Sequence, residues 1–221
     1  PGTVNGTALW QPVGGRFGGA MQFNGATDIR IPYNTDFDIG TFTVSAWVNI
    51  AQDQGNGGIL GTRFNGDTNF DYKVRGTDIH GDVGSGAAWI NTNVDIPAPQ
   101  GDISLNNWHM VTYVIDDAAK QFLLYLDGAL ATPAIGYAGN PRLMVAGREM
   151  RIGNSSGAEY MVNGRIDDVA IWDRALTAAD VLAAYLTGAA SVPPVLVPTL
   201  VGGTLTTAGT TTFGPSASLD I

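Results

Sequence analysis

One stretch of this chain carries helical spacing, ALTAADVLAAYL (175–186), and every other patterned stretch alternates with period two. That single fact confines the chain to an all-β architecture with one helix appended. Thr177 is a good N-cap, and Asp180 three residues on completes a capping arrangement. Val181, Leu182 and Tyr185 are expected to form the buried face, and Gly188 to stop the helix. The strand just before it, GRIDDVAIWD (164–173), holds two adjacent aspartates, Asp167 and Asp168. Neighbours in a regular strand point to opposite faces.

The strands follow one another at close spacing. AMQFNGATDIRIP (20–32) reads as two short strands on either side of Asn24-Gly25. In TFTVSAWVNI (41–50), Phe42, Val44, Ala46 and Val48 point one way and Trp47 the other. GGILGTRF (57–64) is expected to pair with NFDYKVRG (69–76), and WHMVTYVID (108–116) with KQFLLYLDGALA (120–131). AAWIN (87–91) and MRIGNS (150–155) are further strands. Turn residues at these intervals indicate a two-sheet antiparallel sandwich.

Charge narrows the partners. The net charge is −9, and the acid is almost all aspartate: Glu149 and Glu159 are the only glutamates, Lys73 and Lys120 the only lysines. Such a surface repels phosphate backbones, which argues against nucleic acid and anionic membranes. It suits calcium or neutral polymers better, although solubility alone explains it as well. The chain has no cysteine, so disulfides and thiolate metal sites are excluded. No apolar run reaches the roughly 20 residues of a membrane span. The start at Pro1, without methionine or a signal pattern, suggests a processed or excised segment.

The pieces FNGATDIRIP, FTVSAWVNI, LNNWHMVTYVID, LLYLDGAL, MRIGNS and NGRIDDVAIWDRALTAADVLAAY occur in an order that resembles laminin-G-like jelly-roll domains of the concanavalin A-like superfamily, over roughly residues 18–186. The resemblance implies an all-β, two-sheet antiparallel jelly-roll sandwich closed by one short C-terminal helix. It also implies a structural calcium, whose ligands carry over to Asn24, Asp28 and Asp167. Hard carboxylate and carbonyl oxygens suit that ion. The alternative for Asp167 is that it only binds turn amides. Trp47, Trp108, His109 and Trp172 fall on packing positions, and His109 reads as a hydrogen-bonded structural histidine.

The residues offer no catalytic pattern. A glycosidase of this superfamily needs paired carboxylates about 5–5.5 Å apart for retention. No Glu-x-Asp-x-Glu run is present, and Glu149 and Glu159 are too far apart in sequence. Neither histidine accompanies a nucleophile motif, so the domain is expected not to be an enzyme. For sugar binding, the polar stretch 63–86 and its surroundings offer Asp67, Asn69, Phe70, Asp71, Tyr72, Trp89 and Tyr160, aromatics to stack and carboxylates or amides to grip hydroxyls. An ordinary solvated hairpin explains each of them singly.

The domain is expected to end near residue 188. Residues 189–221 form a Pro- and Thr-rich apolar tail. Family domains open with an additional edge strand that this chain lacks room for, and the tail is a candidate to fill it, in cis or in a neighbouring copy. Two functions follow. The first is a secreted or cell-surface binding module for a glycan or surface protein. The second is a structural subunit that joins copies of itself through the tail.

Overall fold

The computed structural model describes residues 2–7, 9–63, 69–76, 78–96, 103–155, 160–192, 198–201 and 204–207. Its strands are, in chain order, β1 (Gly2–Asn5), β2 (Leu9–Gln11), β3 (Ala20–Asn24), β4 (Asp28–Pro32), β5 (Phe42–Ile50), β6 (Gly57–Gly61), β7 (Phe70–Arg75), β8 (Asp78–Gly84) and β9 (Trp89–Ile96). Next come β10 (His109–Asp116), β11 (Gln121–Leu126), β12 (Ala129–Leu130), β13 (Ile135–Gly136), β14 (Glu149–Ile152), β15 (Tyr160–Met161) and β16 (Asn163–Trp172). The helix α1 (Ala178–Thr187) precedes β17 (Pro198–Val201) and β18 (Thr204–Thr207).

These form two sheets. The first has the order β17-β18-β1-β4-β14-β6-β7-β8-β9, with β15 beside β6. The second has the order β12-β11-β10-β5-β16-β3-β2, with β13 beside β11. The tail pairs in cis here, β18 lying against β1 at the edge of the first sheet. The Asn24-Gly25 turn is a crossover: β3 belongs to the second sheet and β4 to the first.

Alternation in β5 builds both cores. Phe42, Val44, Ala46 and Val48 enter the cluster between the sheets, with Phe70 and Tyr72 from the facing sheet and Tyr113 from the neighbouring strand β10. Trp47 goes the other way, into a second cluster with Trp172, Tyr125, Val181 and Ala184. Helix α1 therefore covers the outer face of the second sheet. Thr177 and Asp180 cap it reciprocally, side chain to backbone in both directions. Tyr185 stacks on Trp47 at 5.2 Å between ring centroids. Leu182, expected in the buried face, is 46% exposed because Ala184 takes the inner position instead.

The paired aspartates explain why a helix is retained. Asp167 Oδ2 accepts the amides of Arg16 (2.7 Å) and Phe17 (2.9 Å). Asp168 Oδ2 accepts the amide of Ala189 at 2.6 Å, just after the helix. Opposite faces were expected for these neighbours, but β16 bulges between Asp167 and Ala170 and Asp168 has φ +48°. The bulge turns both carboxylates toward the helix side. There Gly188 lies beside both Asp168 Oδ2 and the Phe17 ring. The pair ties the 15–17 loop and the helix exit to one strand.

Candidate functional site

The calcium ligands expected from the resemblance do not converge. Asn24 Oδ1 accepts the Ala26 amide and the Thr27 hydroxyl, each at 3.0 Å. Asp28 is buried between Arg30 (3.1 Å) and Arg151 (3.4 Å). Asp167 holds three amides, those of Arg16, Phe17 and Asp168. Asn24 pairs with Asn163, which puts Asp167 about 13 Å further along β16 at ~3.3 Å per residue. Asp28 lies in the other sheet. Arranged this way, the three do not fit one calcium shell, whose oxygens must all approach within about 2.3–2.6 Å of the ion. Among the described residues no three His, Asp or Glu side chains gather as a metal site.

The expected sugar-binding residues are mostly core. On β7, Phe70 and Tyr72 point into the sandwich and are fully buried, so neither can stack on a ligand. Asn69 is buried too, its Nδ2 donating to the Arg142 carbonyl at 3.3 Å. Asp67 lies outside the described residues. The backbone of Tyr160 runs parallel to β6 opposite Gly57. Trp89 is partly exposed, with the Arg63 guanidinium 5.1 Å above its ring.

The alternate residues of the same strands make the site. Asp71 and Lys73 on β7 and His80 and Asp82 on β8 face outward from the first sheet, and register puts Asp71 opposite Asp82 and Lys73 opposite His80. Lys73 Nζ lies 3.2 Å from Asp71 Oδ2 and 3.4 Å from Asp82 Oδ2. Arg63 Nη1 reaches the same two oxygens at 2.8 and 3.4 Å. His80 extends the network, its Nε2 3.2 Å from Asp82 Oδ1 and its Nδ1 against Asp95 Oδ1.

Burial and the neighbouring Asp82 charge push the Asp71 carboxyl well above the usual carboxylate range. Burial also acts to raise Asp82, but the His80 hydrogen bond and the Lys73 charge outweigh it and hold Asp82 low. The two carboxyls are thus pushed apart, Asp71 up and Asp82 down. Burial pulls the His80 imidazole down, yet its bond to Asp82 and the charges of Asp82 and Asp95 win, and the net direction is up.

A cavity of about 240 Å³ lies where the β7–β8 turn meets β9, lined by Arg75, Asp78, Ile79, His80, Asp95 and Ile96. Arg75 is exposed and Asp78 and Asp95 are half-buried. One guanidinium and two carboxylates thus stand around a recess floored by the buried imidazole. Period-two reading of 71–75 and 78–82 was the signal that finds these residues. It places aspartates, lysine, arginine and histidine together on the outer face.

His109 is hydrogen-bonded, as expected. Its Nδ1 meets Asp127 Oδ2 at 2.9 Å, and its Nε2 meets Ser104 Oγ at 3.1 Å. Those distances match a nucleophile–base–acid chain. Asp127, however, also accepts the Met110 amide (2.8 Å) and donates its own amide to the Met110 carbonyl (2.8 Å). The Asn106 amide is spent on the Ile50 carbonyl at 2.7 Å. The Met110 and Asn106 amides are thus both already bonded.

Two stacked antiparallel sheets, one helix sealing the outer face of the second, and a polar recess on the first define a lectin-like jelly roll. The chain belongs to the concanavalin A-like lectin/glucanases superfamily, whose laminin-G-type family model matches residues 23–182. No curated protein matches the chain significantly. Among solved structures it is similar to domain 4 of an extracellular GH43 arabinanase from Geobacillus stearothermophilus in complex with arabinotriose (TM-score 0.63, 22% identity, 82% of this chain and 86% of that one). It is similar to the CBM40 of a Ruminococcus gnavus IT-sialidase bound to α2,3-sialyllactose (TM-score 0.62, 14% identity, 75% and 96%). It also resembles the receptor-binding domain of botulinum neurotoxin type G (TM-score 0.61, 17% identity, 83% of this chain), spanning 46% of that chain. At these identities the likeness is one of fold.

Proposed function

We propose that this domain is a non-catalytic glycan-binding module of a secreted or cell-surface protein, and that its sugar enters the recess between Arg75, Asp78 and Asp95. The observation that carries this reading is the lining of that recess. Each sugar hydroxyl both donates and accepts, so a site needs acceptors and donors side by side. Asp78 and Asp95 supply the first, Arg75 the second. At about 240 Å³ the recess falls below the ~300 Å³ of the smallest drug-sized pockets, which suits one sugar ring with the rest of the glycan outside. Two carboxylates at the rim and a net charge of −9 favour neutral sugars over uronic or sialic acids.

The non-catalytic reading has its own support. Asp71 and Asp82 stand directly opposite each other across the ladder, the arrangement of two carboxylates that a glycosidase would need to place around a sugar. But Asp71 is fully buried, Asp82 is 5% exposed, and both are bridged by Lys73 and Arg63. A sugar cannot sit between them. The fold neighbours named for carbohydrate binding agree with a binding role. The test is an array of neutral and acidic glycans probed with the tagged domain. Signal on neutral glycans supports the reading, and signal confined to acidic ones, or none, removes it.

A further inference from the structure

Among the described residues, the last strands of the chain join the sheet through a short backbone ladder. β18 meets β1 through Gly2 opposite Leu205 and Thr3 opposite Thr204. On its other side β1 pairs with β4 from Thr3 to Asn5. The tail leaves the body at a fixed point, because Trp172 Nε1 donates to the Val192 carbonyl at 2.6 Å on the outer face of the second sheet. β17 then begins at Pro198 in the first sheet. Residues 193–197, Pro-Pro-Val-Leu-Val, must carry the chain from one sheet to the other. The six steps from Val192 to Pro198 reach about 20 Å fully extended. A connection this short favours exchange of the terminal element between copies, since the same β18–β1 ladder can form in trans.

The composition of the hairpin points the same way. From Val181 to Leu219 the chain has no charged residue, in a protein of net charge −9. Among the described strands of the first sheet β17 is the outer edge. Natural edge strands of monomers are blunted by charges, lysine above all. Pro198, Thr199, Leu200 and Val201 carry none. An edge strand without charge is open to pairing with another chain.

We infer that the hairpin β17–β18 exchanges between copies, β18 of one chain adding to β1 of the next. Two copies exchanging reciprocally close a dimer, whereas a contact that passes the C-terminal hairpin of each copy to the N-terminal strand of the next is heterologous and stays open. Repetition gives a linear polymer. The inference is independent of the sugar site, although a polymer would multiply weak sites along its length.

The chain contains no cysteine, so two introduced thiols report without background. Thr3 and Thr204 are Cα partners across the ladder, within disulfide reach for an antiparallel pair. The single variants Thr3→Cys and Thr204→Cys, otherwise full-length, are unfolded and refolded together, oxidised and run on a non-reducing gel. The expected result is a 3–204 mixed dimer exceeding both like dimers, and a ladder of covalent oligomers from the double variant. Light scattering of the unaltered chain is expected to show the mean mass at least doubling as concentration rises. A double variant that closes only within single chains, with no mixed dimer from the singles, overturns the inference. So does the absence of any 3–204 link, since the ladder itself would then not form.

Discussion

Asp71 and Asp82 face each other across the β7–β8 ladder and hold one ammonium between them, Lys73 Nζ at 3.2 and 3.4 Å. All three side chains are at most 7% exposed. Removing one member of a buried ionic group leaves the others uncompensated, which costs about 3–5 kcal/mol. Lys73→Met is therefore expected to lower unfolding stability by about that amount in urea titration. Asp71→Asn is expected to cost less, because burial and the Asp82 charge already oppose the charge it removes. Equal losses in the two variants would contradict that difference.

Stability should fall as the pH rises from about 5 to 8. Burial raises the folded-state carboxyls of Asp71 and Asp167, and lifts Asp168 from an ordinary 3.8 to about 7. A raised folded value means the folded chain binds the proton more tightly than the unfolded one. For Asp168 stability is then lost as the pH climbs from about 4 to about 7. His80 has the same sign: its contribution is full below its unfolded value of 6.5 and is lost as the pH rises through the higher folded one. Asp82, Asp117 and Asp180 are held low, so their contributions are lost only below about pH 4. The thermal midpoint is expected to be higher at pH 5 than at pH 8, with a shallower slope in Asp168→Asn. A midpoint that rises across that window contradicts the assignment.

Asp167 tests the amide-anchor reading against a metal ligand. Asp167→Ala strips the acceptors from Arg16, Phe17 and Asp168 and is expected to cost about 1–3 kcal/mol. The loss should be the same with calcium or with a chelator. A wild-type midpoint that calcium raises, and that the variant does not share, would return Asp167 to an ion.

Gly58 and Gly61 let the 154–155 segment cross the outer face of β6. A Cβ on Gly61 would stand 2.0 Å from the Ser155 carbonyl oxygen, which is backbone and cannot swing aside. Gly61→Ala is expected to cost at least about 1–3 kcal/mol. Gly136→Ala, with nothing within 4 Å, should stay within roughly 0.5 kcal/mol. Comparable midpoints for the two would mean the crossing is wrongly placed.

Ser104 should not react with a fluorophosphonate probe, despite its 3.1 Å contact with His109 Nε2. The Asn106 and Met110 amides are already bonded, to Ile50 and to Asp127, and Asp127 is shared between the imidazole and the Met110 amide. Stoichiometric labelling of Ser104, read by mass spectrometry, would overturn the non-catalytic reading.

The sheets and the helix were legible because their signals are local. Thr177 and Asp180 cap α1 as their spacing indicated, and the split of Trp47 from Val44, Ala46 and Val48 follows from alternation alone. The site was less legible. The segment 63–86 contains Arg75, Asp78 and His80 of the recess, yet Phe70 and Tyr72 are core while Asp71 is an ion-pair partner. Choosing by residue chemistry mixed the two faces of β7, whereas period two separates them. Asp95 came from a strand outside that segment, and only the β8–β9 register brings it to His80. The bulge at Asp167–Ala170 left no local sign, because an aspartate in the left-handed region looks like any other in sequence.

The most direct measurement is calorimetric titration of the full chain with a neutral oligosaccharide drawn from the array, beside Arg75→Ala and Asp78→Ala. Both residues stand at the rim of the recess, outside the buried Asp71–Lys73–Asp82 group, so the fold should persist and can be checked by its thermal midpoint. Binding by the wild type that weakens at least tenfold in each variant is the expected result. Binding that both variants retain, or no binding by the wild type, contradicts a sugar site between Arg75, Asp78 and Asp95.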